Sequence, residues 1–289
     1  MSFSDIHAPI TNNAPITDNV GDNSNNTNSN NTTNSFNTTI HGVAGRPPVS
    51  FGGAFYAYIH DISNERCWRM VIIFASRVVA DEWWRAMSTS TIDFLKNNIQ
   101  RITPQFYTHN TAQWNFYTFF SDKRVRNISD KFRGKMFIVL EHDHDGRGIT
   151  IIPLQSIVDH ASGDWFSIRS KANASQYWYY DETLGCITIS EIQRTSFRIT
   201  SVNMHEGAIM VKADQITLTV QGHGFVVPRT AARIPGSLTL GVTNSQAEAF
   251  RFKFEDLDRG CFNSVRDGLR FVVCYVPGGG GNLGWELSL

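Results

Sequence analysis

The chain is 289 residues long, 41% of them hydrophobic and 12% aromatic, and its 26 basic side chains balance its 26 acidic ones. This composition supplies enough apolar material for one large hydrophobic core or for two smaller ones. A net charge of zero argues against a nucleic-acid partner, because binding to phosphate backbones usually needs a basic face.

Residues 1–45 form a low-complexity segment. It has no basic region followed by an apolar stretch, so we expect no signal peptide and a cytoplasmic location. From Asn23 to Asn34 every side chain is Asn, Ser or Thr, and such a run cannot offset the entropy cost of ordering a lone chain. Disorder is therefore one interpretation. The other is self-association into a homo-oligomer, because Asn and Thr stack well in β-structures that several copies share.

Residues 46–53 have the Pro and Gly content of a linker, and residues 54–145 follow as an α+β region. β-Branched and aromatic runs predict strands, and apolar residues at helical spacing predict two helices. The strands are expected at Phe55–Ile59, Trp68–Phe74 and Met136–Leu140, and the helices at Val79–Met87 and Ile92–Ile99. No run in the chain approaches the ~20 apolar residues that cross a bilayer, so we expect no transmembrane segment.

A basic cluster lies inside the α+β region. It comprises Lys123, Arg124, Arg126, Lys131, Arg133 and Lys135. In a chain without net charge this cluster is a candidate for a positively charged patch. A solvated face is the other interpretation, and it is the one that we favour.

The stretch from Glu141 to Gly146 carries the only metal-type spacing that we identify. In an extended strand, His142 and His144 point the same way, and two imidazoles so placed can ligate zinc or copper. The alternative is a polar turn, with Asp145 and Gly146 closing the strand before it. We expect no other cofactor.

Residues 146–289 predict an all-β region. Apolar and polar residues alternate strictly in Ile216–Val220 and in Phe250–Phe254, which is typical of antiparallel strands with one buried face. No strand–helix–strand rhythm occurs, so a parallel sheet is not expected. The fold class is therefore mainly β with a small α+β part at the N-terminal side.

Three segments of this region join a large aromatic residue to an alternating apolar one, at Ser196–Ile199, Ala249–Phe252 and Gly284–Leu287. The stretch Gln176–Thr188 is also similar to the W-x-Y-D-x-x-T-G-x-I stretch of ricin-B-type lectin lobes. The C-terminal half thus resembles ricin-B-type β-trefoil lectins of fungi. That resemblance implies a β-trefoil, in which each of three lobes ends with such an aromatic. Another antiparallel barrel or a sandwich remains the alternative.

Several aromatic rings lie next to acidic residues on the predicted strands. Such pairs suit sugars, because a pyranose stacks its apolar face on a ring while a carboxylate accepts its hydroxyl protons. Core packing of the same rings is the alternative. The predicted ligand contacts are Asp164, Trp165, Trp178, Tyr180 and Asp181.

These observations lead to a non-enzymatic, lectin-like carbohydrate-binding protein as the expected function. A glycan is then its ligand, and avidity comes from oligomerisation through the Asn-rich segment. The Asn-Asn-Thr runs ahead of a β-rich body resemble N-termini of proteins from mushroom-forming fungi, so a fungal origin is expected. Several fungal defence lectins are cytosolic and lack signal peptides, which agrees with that origin. The alternatives are a self-assembling fibrillar protein, a membrane-active toxin and a metal-dependent enzyme.

Overall fold

The computed structural model describes residues 53–64, 69–141, 157–230, 238–279 and 284–289. Strands make up 42% of the structure and helices 18%, so the prediction of a mainly β protein is confirmed. Residues 1–45, almost all of the linker 46–53, and both His142 and His144 lie outside the described residues.

The first part of the described chain is a five-stranded sheet covered by helices. Its strands are β1 (Phe55–Asp61), β2 (Met70–Phe74), β3 (Gln100–Thr103), β4 (Phe106–His109) and β5 (Met136–Leu140). They lie in the order β3-β4-β1-β2-β5, and the β1–β4 pair is parallel. The helices are α1 (Arg77–Ser88), α2 (Asp93–Asn98) and α3 (Arg126–Phe132). This part of the chain therefore contains both a sheet and helices.

Helix α1 forms where the helical spacing predicts it. Ser76 caps its N-terminus, because the Ser76 side chain accepts a hydrogen bond from the Val79 N–H at 3.4 Å. Trp83, at the centre of the helix, is fully buried between Phe74 and Phe116. This ring cluster fixes the helix on the inner face of the sheet.

The second part is a closed barrel of eight antiparallel strands. Its ring runs β6-β7-β8-β15-β12-β11-β10-β9 and returns to β6. Three further strands pair with members of this ring, β13 with β10, β14 with β15 and β16 with β6. The strands are β6 (Trp165–Ser170), β7 (Tyr177–Asp181), β8 (Cys186–Ser190), β9 (Ser196–Ser201), β10 (Gln215–Val220), β11 (Gly224–Thr230), β12 (Leu238–Thr243), β13 (Phe252–Lys253), β14 (Phe262–Asp267), β15 (Arg270–Tyr275) and β16 (Trp285–Ser288). A sandwich is therefore excluded.

The predicted strand Phe250–Phe254 is wrong in its length. Only Phe252 and Lys253 are extended, and a 3₁₀ turn follows at Phe254–Leu257. The cause is local, because the Asp256 carboxylate accepts a hydrogen bond from the Lys253 N–H at 2.9 Å and curls the chain. By contrast, the strand predicted at Ile216–Val220 is confirmed within β10.

Ion pairs join the α+β part to the barrel. The Arg85 guanidinium on α1 donates to the Ile209 carbonyl at 2.7 Å and pairs with Asp214 at 2.7 Å. Arg101 lies between Asp81 at 3.2 Å and Asp159 at 2.6 Å, and only 4% of its side chain is exposed. Two separate hydrophobic clusters lie on either side of this joint. The predicted boundary at residues 145 and 146 falls outside the described residues and stays a prediction.

Membrane insertion through a helix is a separate question. Across the described ranges, no helix combines the length and the apolar character that spanning a membrane requires. The longest helix there, α1, has 12 residues, and polar and charged side chains occupy part of it.

Candidate functional site

The five side chains predicted to contact a ligand do not form one site. Along β7, Trp178 and Tyr180 point into the barrel, whereas Trp165 lies on the outer face of β6. Trp178 is fully buried, in edge-to-face contact with Phe197 and Trp285. A buried ring has no free face for a sugar, so the prediction for Trp178 is corrected to a core role.

Asp181 serves the turn between β7 and β8. Its carboxylate accepts hydrogen bonds from the Thr183 N–H at 3.0 Å and the Leu184 N–H at 3.3 Å, and it also pairs with Arg270. Only 6% of the residue is exposed. Its oxygens are thus engaged within the protein, and the turn needs them.

Tyr180 lies at one end of the barrel in a small cluster that the sequence does not reveal. Its ring centre is 4.8 Å from that of His223, and the His223 imidazole lies 3.2 Å from the Glu182 carboxylate. Tyr180 itself is half-buried against the barrel core. The barrel core and His223 therefore cover part of the Tyr180 ring.

Trp165 offers the most accessible ring among the predicted residues. It begins β6 with 41% of its surface exposed, and the exposed Asp164 precedes it. Trp165 lies directly opposite Arg198 on β9, so the two side chains share the outer face of the barrel. The Arg198 guanidinium donates to the Gly163 carbonyl at 2.9 Å and pairs with Glu206 at 2.7 Å.

The outer face continues across two more strands. Arg198 lies opposite Thr219 on β10, and Thr219 lies opposite Phe225 on β11. We call these four side chains, Trp165, Arg198, Thr219 and Phe225, the Trp165 row. The row combines a flat ring, guanidinium donors and a hydroxyl, with the Glu206 and Asp164 carboxylates beside it. Sequence reasoning missed Arg198, Thr219 and Phe225, because only strand pairing brings them to Trp165. It also missed Glu206, which reaches the row through its ion pair with Arg198.

A separate cavity of about 240 Å³ lies between α1 and the barrel. Its walls are mainly apolar and include Met210, Leu257 and Trp285. The His160 ring packs edge-to-face on Phe254 at this cavity. Burial and the positive charges of nearby Arg and Lys side chains lower the pKa of His160 to about 3, so its imidazole is neutral at physiological pH. None of the five predicted residues lines this cavity.

Metal binding finds no support within the part of the chain that the structure describes. There, no three His, Cys, Asp or Glu side chains come together as a ligand set. The predicted pair His142 and His144 lies outside those residues and stays a prediction.

Comparison with known proteins gives no family for this chain. No protein-family model matches it, and no curated protein matches it.

Proposed function

We propose that this protein is a non-enzymatic, lectin-like carbohydrate-binding protein whose sugar site is the Trp165 row. The observation that carries the proposal is the exposed Trp165 ring beside the Arg198–Glu206 ion pair. A pyranose can stack on the ring while its hydroxyl groups donate to Glu206 or Asp164 and accept from Arg198. Because strand pairing holds Trp165 and Arg198, little ordering cost falls on these two side chains when a sugar binds.

We also propose that the barrel is of the β-trefoil type. Three hairpins, β7–β8, β11–β12 and β14–β15, contact one another through the register pairs Gly241 with Cys186, Thr239 with Cys274, and Val272 with Thr188. Mutual contact of three successive hairpins is what a trefoil requires of its three lobes.

The three aromatic segments that carry the resemblance support the same proposal. They fall at β9, at β13 and at β16, and Phe197, Phe252 and Trp285 are buried in a single cluster. A shared core built from one aromatic per lobe is what a threefold arrangement requires.

Oligomerisation through residues 1–45, a fungal origin and a cytoplasmic location complete the proposal. Several weak sugar sites on one oligomer would act together, which raises the apparent affinity without new contacts. Deletion of residues 1–45 is expected to lower the molecular mass measured by light scattering. An unchanged mass would remove this part of the proposal and leave the sugar site untouched.

The test of the sugar site is a glycan array with the full-length protein, followed by titration of the best glycan. Trp165→Ala is expected to weaken binding at least about tenfold, which corresponds to roughly 1.4 kcal/mol. Phe271→Ala is the matched control, because Phe271 is 48% exposed on β15 and lies outside the Trp165 row. An array without hits, or equal binding by both variants, contradicts the proposal.

The alternatives give different results with the same preparation. Leakage of liposomes would favour a membrane-active toxin, and a stoichiometric metal lost on His142→Ala would favour a metal-dependent enzyme. Fibrils that require residues 1–45, without any glycan binding, would favour a self-assembling protein.

A further inference from the structure

Strand β5 is an open edge of the five-stranded sheet. It is the last strand in the order and pairs only with β2, and within the described ranges no strand lies on its other side. Phe137 and Val139 project from it with 63% and 44% of their surfaces exposed. Proteins normally protect an apolar strand edge, because its free backbone groups template pairing with another chain.

The register shows which backbone groups of β5 do not bond to β2. The Glu141 N–H donates to the Arg69 carbonyl, and the Ala75 N–H donates to the Lys135 carbonyl, so odd-numbered residues bond toward β2. Backbone groups alternate in direction along a strand. The N–H and C=O groups of Ile138 and Leu140 therefore point away from the sheet, toward an incoming strand.

An aromatic groove of about 480 Å³ runs beside the start of this edge. Tyr117, Phe120 and Phe137 line it, and Tyr117 is 51% exposed. The Arg133 guanidinium lies over the Phe120 ring at 5.7 Å and donates to the Phe120 carbonyl at 3.2 Å. Its contacts with Phe120 thus hold Arg133 at the groove, and the groove has room for a large apolar side chain.

The surroundings of the groove are strongly basic. Between residues 117 and 139 the chain carries six basic and two acidic side chains, which leaves four positive charges in a protein of zero net charge. All six basic residues are exposed. Arg133 lines the groove, and Lys135 directly precedes β5. Two members of the basic cluster of the sequence, Arg133 and Lys135, thus lie beside an open strand edge.

We propose that the β5 edge and its groove bind an extended acidic peptide segment that carries an aromatic side chain. The peptide adds a sixth strand to the sheet through Ile138 and Leu140, its aromatic side chain enters the groove, and its carboxylates face the basic cluster. This assignment does not depend on the proposed sugar site.

Charge and hydrogen bonding favour this occupant over two others. A second copy of the chain, pairing β5 with β5, would bring to the edge another segment 117–139 with the same net charge of four, and like charges repel. A nucleic acid would satisfy the charge but has no backbone that matches the strand-like N–H and C=O groups of the edge. An acidic peptide matches the charge, the groove and the backbone.

The test uses the full-length protein and fluorescein-labelled hexapeptides, with binding measured by fluorescence anisotropy. The probe is Glu-Asp-Phe-Val-Asp-Glu. Its controls are the same peptide with alternate backbone nitrogens methylated, and Lys-Lys-Phe-Val-Lys-Lys. We expect each control peptide to bind at least about tenfold more weakly than the probe.

Two variants report on the protein side of the contact. Phe137→Ser is expected to weaken binding of the probe about fivefold or more, because an apolar contact is lost. Arg133→Glu combined with Lys135→Glu is expected to weaken binding of the probe at least about tenfold and to flatten the dependence of that binding on salt. The matched controls are Phe271→Ser and Arg266→Glu, which change exposed residues of the barrel.

Three outcomes overturn the proposal. The first is equal binding of the methylated and unmethylated peptides, or no binding of any peptide. The second is binding of a 12-nucleotide oligo-dT, lost on Phe137→Ser, without peptide binding, which assigns the groove to nucleic acid. The third is a concentration-dependent dimer that Phe137→Ser dissociates, seen by sedimentation, which assigns the edge to a second copy.

Discussion

The two parts of the molecule place their exposed apolar side chains differently. In the α+β part, Tyr56, Phe137 and Val139 lie exposed within strands of the sheet. In the barrel, the most exposed apolar residues, Ile192 and Leu269, lie in turns. A sheet covered on one side leaves the alternate residues of each strand outside, whereas a closed barrel has no edges in its ring and encloses its inward residues. Trp165 on β6 and Phe271 on β15 are exceptions, since both are exposed although they lie within strands of the barrel.

The largest expected difference in the free energy of unfolding is between a ring inside the barrel and a ring on its outer face. Trp178→Ala should reduce the free energy of unfolding by about 3–5 kcal/mol, because it removes a ring that packs on several others. Trp165→Ala should change it by less than about 1 kcal/mol, as expected for a surface substitution. Chemical denaturation followed by circular dichroism measures both values. Equal destabilisation would contradict the assignment of the two rings to opposite faces.

The next largest loss of stability is expected at the ion pairs that join the two parts. Arg101→Ala removes a buried cation and leaves the Asp81 carboxylate with Arg77 as its partner, so we expect a loss of about 3 kcal/mol. Calorimetry should then show the α+β part and the barrel unfolding as two resolved transitions.

A matched control for Arg101 lies on α3. Arg126→Ala breaks an ion pair with Asp130 whose arginine is 74% exposed, and such pairs contribute less than about 1 kcal/mol. A calorimetric trace that is the same for both variants would show that the joint does not couple the two parts.

A further expected effect is a pH dependence of the free energy of unfolding, which arises at the cavity between the two parts. The folded pKa of His160 is lowered to about 3, below its ordinary value of 6.5, so the folded state resists protonation. The stability is therefore complete above about pH 6.5 and falls toward pH 3, by at most about 1.4 kcal/mol per pH unit.

Unfolding free energies measured between pH 7 and pH 4 check this. His160→Asn should flatten the acid limb of the curve. Parallel curves for the original protein and His160→Asn would contradict a role for His160.

Local sequence patterns predicted most of the elements that the structure contains. The runs at Phe55–Ile59 and Met136–Leu140 became β1 and β5, and the helical spacing from Val79 to Met87 became α1. The pattern failed at Phe250–Phe254, since a side-chain hydrogen bond from Asp256 competes with the strand there. For the candidate site, Trp165 and Asp164 were predicted, but their neighbours Arg198 and Glu206 were not.

The sequence by itself determined a low-complexity segment ahead of a β-rich body, and where many of its strands and helices form. These properties depend on neighbouring residues, through composition and periodicity. Only the tertiary structure decided that Trp178 is inside and Trp165 outside, and that Arg133 and Lys135 of the basic cluster adjoin an open strand edge. Periodicity states that alternate side chains share a face, but which face is buried depends on strands paired from distant parts of the chain.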